Sequence, residues 1–311
     1  MLSNKFKESI FNQVSYPHHL RRFSNYSKRY IDRLDYKLQK IACLSSLPTL
    51  SEVDRQAIDV LKEDGVYVTS LGKLNIDNSD RLLESARQAM VSLPSTLSPD
   101  LTNEWHIGNH ANQIGSAAIA ADHPDIYLWG LQRKLLTLIT HYIYQPITYL
   151  SVNLRRDIAN GRQLGTRVWH RDGEDHRMLK VIIYLNDTDK DGGPFEYIPR
   201  AITPGHEALS SGATLVDAEM AKVIPKHRWK ASPGLAGTVI FADTAAVWHH
   251  GKIPQRDRYS LFFTYTSRRP RWIEPYLGNF KPENAQRLLA PLIFGAKALR
   301  NVGVLGCLSP R

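Results

Sequence analysis

Between positions 147 and 266 the chain repeats one pattern: short runs rich in β-branched and aromatic residues, separated by clusters of Gly, Pro, Asp and Asn. The runs fall at 147–154, 167–169, 178–185, 196–198, 238–241 and 259–266. Runs of this length with turn residues between them predict antiparallel strands. Helical patterns precede them, so the expected fold is mainly β with flanking helices, an antiparallel barrel or jelly roll rather than a parallel αβ sheet.

The helical patterns have recognisable ends. Ser51 followed three residues on by Asp54 predicts a helix start, with the helix running to about residue 63 before Asp64-Gly65 turns the chain. A strand is expected at 66–69, a helix at 79–92 that stops before Pro94, and a longer helix at 126–144. The polar stretch 95–118, with Trp105, His106 and His110, reads as a loop over a binding site. A Gly-, Pro- and Ser-rich insertion at 201–236 carries a short helical stretch at 217–223, and an insertion of that length in a compact domain is usually functional or mobile.

Charge is concentrated at the ends of the sequence. Residues 1–40 hold nine Lys/Arg against three acids and residues 266–311 hold eight against two, so each contributes +6 to a net +10 and the middle sums to −2. With the apolar spacing of Tyr30, Ile31, Leu34, Leu38 and Ile41, this divides the chain into a basic helical extension at 1–50, a main domain at 51–270 and a second basic helical extension at 271–311. The extensions admit two readings: solvated helical faces, or a surface making peripheral contact with an anionic partner such as lipid headgroups. Nucleic acid is not an expected partner, because no binding module is recognisable. Cys43 and Cys307 lie outside any disulfide or zinc spacing, and charged residues interrupt the apolar stretches. A cytoplasmic protein without a transmembrane span is expected.

The residues that carry chemistry are Trp169-His170-Arg171-Asp172-Gly173. His170 and Asp172 are two apart, so on extended backbone they leave the same face and can share one metal ion. A second histidine site, His249-His250-Gly251, follows 79 residues after His170. Two histidines and a carboxylate form a facial triad that leaves three positions of an octahedral iron(II) open, two for a chelating cosubstrate and one for O2. The 2-oxoglutarate that suits such a site needs a cation for its distal carboxylate. Arg258 supplies one at the start of a strand on which Arg258, Ser260, Phe262 and Thr264 share a face, so the hydroxyl of Ser260 or Thr264 can also reach the pocket. Lys180 is a further candidate for assisting the cosubstrate, with a solvent-facing strand lysine as its alternative.

Three segments together resemble the phytanoyl-CoA dioxygenase family of iron(II)/2-oxoglutarate oxygenases: Trp169-His170-Arg171-Asp172, Lys180-Val181-Ile182-Ile183-Tyr184-Leu185-Asn186-Asp187, and Gly192-Gly193-Pro194-Phe195-Glu196-Tyr197-Ile198-Pro199. The resemblance runs from about residue 64 to about residue 266 and departs at Arg200-Ala201-Ile202, where family members commonly have Gly-Ser-His. It implies a double-stranded β-helix fold, iron(II), 2-oxoglutarate and O2, with succinate and CO2 as coproducts and a small organic substrate oxidised at a C–H bond. Related halogenases have a small residue where this chain has Asp172, so the resemblance implies oxygenation rather than halogenation.

Two points stay open at this level. Neighbouring residues of a strand face opposite ways, so only one of His249 and His250 can meet His170 and Asp172. The position of Gly251 admits both; members of the resembled family usually have slightly more than nine residues between this ligand and the arginine, so the resemblance favours His249, nine residues from Arg258, over His250, eight from it. The same triad also suits a metal-dependent hydrolase or a metal-binding barrel without activity.

Overall fold

The computed structural model of the protein describes residues 47, 49–94, 110–145, 147–204, 214–268 and 270–272. The two basic extensions, apart from a few residues at their inner ends, lie outside the described residues, as do Trp105, His106 and part of the insertion. Helix α1 (Glu52–Asp64) starts as its sequence predicts, with the Ser51 hydroxyl accepting the Asp54 N–H at 3.1 Å. It buries Ala57, Ile58 and Leu61, one stripe at helical spacing. After it come β1 (Val66–Ser70), the single turn α2 (Leu71–Leu74) and α3 (Ser79–Val91). Then follow β2 (Ala111–Ile114), α4 (Ser116–Asp122), α5 (Pro124–Trp129) and α6 (Arg133–Ile143).

The strands that follow are β3 (Ile147–Asp157), β4 (Met178–Tyr184), β5 (Phe195–Tyr197), β6 (Lys230–Ser232), β7 (Thr238–Ala242), β8 (His249–Gly251) and β9 (Arg258–Ser267), with helix α7 (Asp217–Val223) between β5 and β6. They form two antiparallel sheets, a large one in the order β1-β7-β4-β9-β3-β2 and a small one in the order β6-β5-β8. The result is a double-stranded β-helix with helices against one side.

Side-chain alternation sorts each strand of the large sheet into two faces. Val152, Leu154, Leu179, Val181, Ile183, Val239, Phe241, Leu261, Phe263 and Tyr265 pack with the helices in the main core. Their neighbours Ile182, Tyr184, Ile240 and Ala242 turn the other way, onto Phe195 and Tyr197 of the small sheet. A one-residue slip of β9 would exchange Phe263 for Phe262 and carry Arg258 out of the space between the sheets.

Three local expectations need correction. The helix expected over 126–144 is two helices, α5 and α6, because the chain at Gly130 is pressed against the sheet. A Cβ there would lie 2.5 Å from the Tyr149 hydroxyl oxygen, and the Gly130 carbonyl accepts the Tyr265 hydroxyl at 2.6 Å. The stretch 95–118 is not wholly loop: β2 pairs with the edge of β3, from Ala111 opposite Asp157 to Ile114 opposite Leu154, so tertiary pairing overrides a polar local sequence. The run 167–169 is not a strand but the 3-10 turn Gly165–Arg167 followed by single bridges. The cause is Arg167, whose buried guanidinium donates to the carbonyls of His110, Ile158 and Arg162 and to the Asn160 side chain, so the chain bends around it.

Candidate active site

The small sheet carries His249 and His250 on β8, and His170 bridges to its edge. His170 and His249 face each other across a bridge in which each backbone N–H donates to the other's carbonyl at 3.0 Å, and their rings lie 4.3 Å apart. Asp172 is held two residues on by its own N–H, which donates to the Thr244 carbonyl at 2.9 Å. One potential ligand atom from each of His170, Asp172 and His249 lies within 4.8 Å of the others. The Asp172 oxygens are 3.7 Å from His170 Nε2 and 3.9 Å from His249 Nε2.

The tautomers fit a metal. The Nδ1 atoms of His170 and His249 point at the backbone carbonyls of Val168 and Val247, at 2.8 and 3.2 Å, so Nδ1 carries the proton and Nε2 keeps its lone pair toward Asp172. Burial, only partly opposed by Asp172, lowers the His170 pKa. Burial and the neighbouring His170 push that of His249 down to about 3. Both rings are therefore neutral at ordinary pH, as ligands must be. Burial alone would raise the Asp172 carboxyl, but the Lys180 ammonium and the two imidazoles outweigh it and hold Asp172 well below the usual carboxylate range. Two neutral imidazoles and one ionised carboxylate are a donor set suited to a divalent first-row metal such as iron(II).

His250 looks elsewhere. Its ring lies between the Glu196 carboxylate and the Arg167 carbonyl, both at 3.0 Å, and stacks on Trp169 with centroids 4.1 Å apart. Trp169 and Trp248 belong to a separate buried cluster with Ile198 and Met220, so neither indole lines the triad. Arg171, between the two ligand candidates, donates from Nε to the Ala245 carbonyl at 2.9 Å.

The other predicted residues lie between the sheets. Lys180 is drawn inward, and its ammonium sits 2.6 Å from Asp172 because Asp172 and Glu174 together outweigh the cost of its burial. Arg258 is buried, with Nη2 2.7 Å from Asp157 Oδ2 and Nη1 donating to the Gly193 carbonyl. A Cβ at residue 251 would meet Arg258 Nη2 at 2.9 Å, so Gly251 lets the guanidinium approach the strand that carries His249. The Ser260 hydroxyl is fully buried and has no hydrogen-bond partner among the described residues.

The sequence reading missed Arg155 and Asp157, which face the same space from β3. Asp157 Oδ2 accepts from Arg155 Nε at 3.1 Å as well as from Arg258. The strand expected at 147–154 stops short of both, whereas the observed strand runs on to Asp157; two charged residues at period two directly after the run were the available signal. In the turn Arg200–Ile202, Arg200 Nη2 donates to Asp243 at 2.8 Å.

No protein-family model matches the sequence, and no curated protein matches it. Among solved structures, AviO1 from Streptomyces viridochromogenes Tue57 is 16% identical, with a TM-score of 0.50 over 72% of this chain and 99% of its own. EctD from S. alaskensis, solved with 2-oxoglutarate and 5-hydroxyectoine, is 18% identical with a TM-score of 0.49 over 71% of this chain and 79% of its own. HygX from Streptomyces hygroscopicus, solved with nickel and 2-oxoglutarate, is 15% identical with a TM-score of 0.47 over 71% of this chain and 88% of its own. The likeness to AviO1 is one of fold, and it spans nearly the whole of that protein.

Proposed function

We propose that the protein is an iron(II)- and 2-oxoglutarate-dependent oxygenase that hydroxylates or otherwise oxidises a C–H bond of a small organic substrate. The observation that carries this reading is that two neutral imidazoles and a carboxylate cluster beside β8, and the buried Arg258 guanidinium approaches the same strand at Gly251, two residues from His249. A hydrolase would have use for the first group but none for the second.

His170, Asp172 and His249 would hold the iron on one face, with both Nδ1 protons anchored on backbone carbonyls so that the rings cannot turn away. Lys180 keeps the Asp172 carboxylate inside the compartment and ionised. Arg258 and Ser260 receive the distal carboxylate of 2-oxoglutarate, which fixes the length and direction of the cosubstrate. Iron and 2-oxoglutarate, when bound, supply dioxygen activation: one oxygen atom ends in succinate as CO2 leaves, and the other drives a two-electron oxidation of the substrate. Asp172 fills a ligand position as a carboxylate, in keeping with oxygenation rather than halogenation.

The test is succinate formation from 2-oxoglutarate by the purified protein under air with iron(II). The expected result is succinate that requires iron and is abolished in His170→Ala. Absence of succinate from a correctly folded, iron-loaded protein across a panel of small organic substrates would overturn the reading.

A further inference from the structure

The register of the large sheet sets four polar side chains in a block at the end of the compartment away from Asp172. Arg155 of β3 stands opposite Ser260 of β9, and Asp157 stands opposite Arg258. All four are buried, with exposures of 7% for Arg155, 0% for Asp157, 3% for Arg258 and 0% for Ser260. Asp157 is the counter-ion of both guanidiniums: Arg155 Nη2 is 2.9 Å from Oδ1, and Arg258 Nη2 is 2.7 Å from Oδ2. Two buried cations therefore share one carboxylate, and one positive charge is left over.

A buried charge without a partner is costly, so the surplus calls for an anion. The neighbours do not supply it. Arg167 adds another cation, with its donors already placed on carbonyl and carboxamide oxygens. Tyr184, opposite Ser260 on the other flank, donates its hydroxyl proton to the Ser232 carbonyl and accepts the Phe195 N–H. Asp257 on the rim pairs with Arg156. What remains within the block is donors. Apart from Asp157, Arg155 meets the Phe262 ring, its carbon 4.6 Å from the centroid, and the Ser260 hydroxyl has no partner among the described residues.

We infer that Arg155 is a second guanidinium of the cosubstrate site, and that Arg155, Arg258 and Ser260 together enclose the distal carboxylate of 2-oxoglutarate while Asp157 holds the two guanidiniums apart. The inference rests on the proposed use of 2-oxoglutarate. One bound carboxylate brings the block of two guanidiniums and Asp157 to neutrality. A 2-oxo acid that lacks the distal carboxylate leaves the surplus charge buried, so the block selects for dicarboxylates.

The experiment is anaerobic titration of the iron(II)-loaded protein with 2-oxoglutarate and with pyruvate, which chelates the metal but has no distal carboxylate. The wild type is expected to prefer 2-oxoglutarate, and Arg155→Gln to lose at least about tenfold of that preference, as when one partner of a buried charge pair is removed. Its pyruvate affinity should be unchanged, which reports an intact metal end. Removing Arg155 also frees Asp157 to neutralise Arg258, so the double variant Arg155→Gln/Asp157→Asn decides between contact and indirect effect. Direct contact keeps the preference low in the double variant, whereas recovery to the wild-type value overturns the inference, as does full preference in Arg155→Gln. Should Arg155→Gln fail to bind pyruvate, Arg155→Lys replaces it: an intermediate preference supports the inference and a wild-type preference refutes it. A wild type that binds both acids equally removes the proposed use of 2-oxoglutarate itself, an outcome distinct from the preceding ones.

Discussion

The two ends of the compartment are built by different means. At the candidate metal end, His249 stands on the short strand β8, His170 meets it across a single bridge and Asp172 hangs from one backbone hydrogen bond, so little regular structure carries the candidate ligands. At the other end, Arg155, Asp157, Arg258 and Ser260 stand on two long strands paired from Ile147 opposite Ser267 to Asp157 opposite Arg258. The charges differ too. Around Lys180 the two carboxylates Asp172 and Glu174 share one ammonium and the imidazoles are neutral, whereas around Asp157 two guanidiniums share one carboxylate. On the proposed function the first end receives a cation and the second an anion, and one ligand that carries charge at the far end and chelates metal at the near end satisfies both.

The largest effect expected is at the metal end. His249→Ala should cost well over about 100-fold in iron(II) affinity, more than the 10–100-fold typical of outer partners, while His250→Ala should cost only about tenfold. Equilibrium metal binding by both variants checks this, and the reverse order would move the third ligand to His250. Next comes the anion end: Arg258→Ala should weaken 2-oxoglutarate binding by about 2–5 kcal/mol, read by titration, with metal affinity unchanged. Between the ends, Gly251→Ala brings a methyl group within 2.9 Å of Arg258 Nη2. It should weaken 2-oxoglutarate by about 1–3 kcal/mol through displacement of the guanidinium, and leave iron affinity within a few-fold.

The smallest effect expected is with pH. His170 and His249 have pKa values below that of ordinary histidine, His249 at about 3, so in the native protein they hold no proton for the metal to displace near neutrality. Iron affinity should then change little between about pH 7.5 and 6, where two ordinary imidazoles would begin to compete. The same shifts act on stability with a definite sign. Below about pH 6.5 the unfolded chain takes up protons that the native state excludes, so the metal-free protein should lose stability as pH falls through that range. Chemical denaturation at several pH values measures it, and a rise in stability on acidification would contradict the assignment of neutral rings.

The contrast also explains what the sequence revealed. The strand pattern and the Ser51 cap are local signals, and the fold they pointed to is the one observed. His170-x-Asp172 is local too, since a period of two places both residues on one face. Arg155 and Asp157 are different: their meaning depends on β3 lying beside β9, about a hundred positions away in the chain, in a register that only the finished sheet fixes. The break at Gly130 is hidden for the same reason, because what forbids a side chain there is Tyr149 on a strand not yet formed. The pairing of Lys180 with Asp172 likewise joins two segments, and the alternation of β4 alone does not reveal it.

The central claim is that the two ends act as one site, and the most direct measurement is the linkage between them. Binding of 2-oxoglutarate should be measured anaerobically with and without iron(II), alongside iron(II) binding with and without 2-oxoglutarate. The account predicts that each ligand tightens the other by the same factor, at least about tenfold, because one molecule touches both the metal and the guanidiniums. Affinities that are independent of each other would contradict it, since they would mean that metal and dicarboxylate occupy separate places.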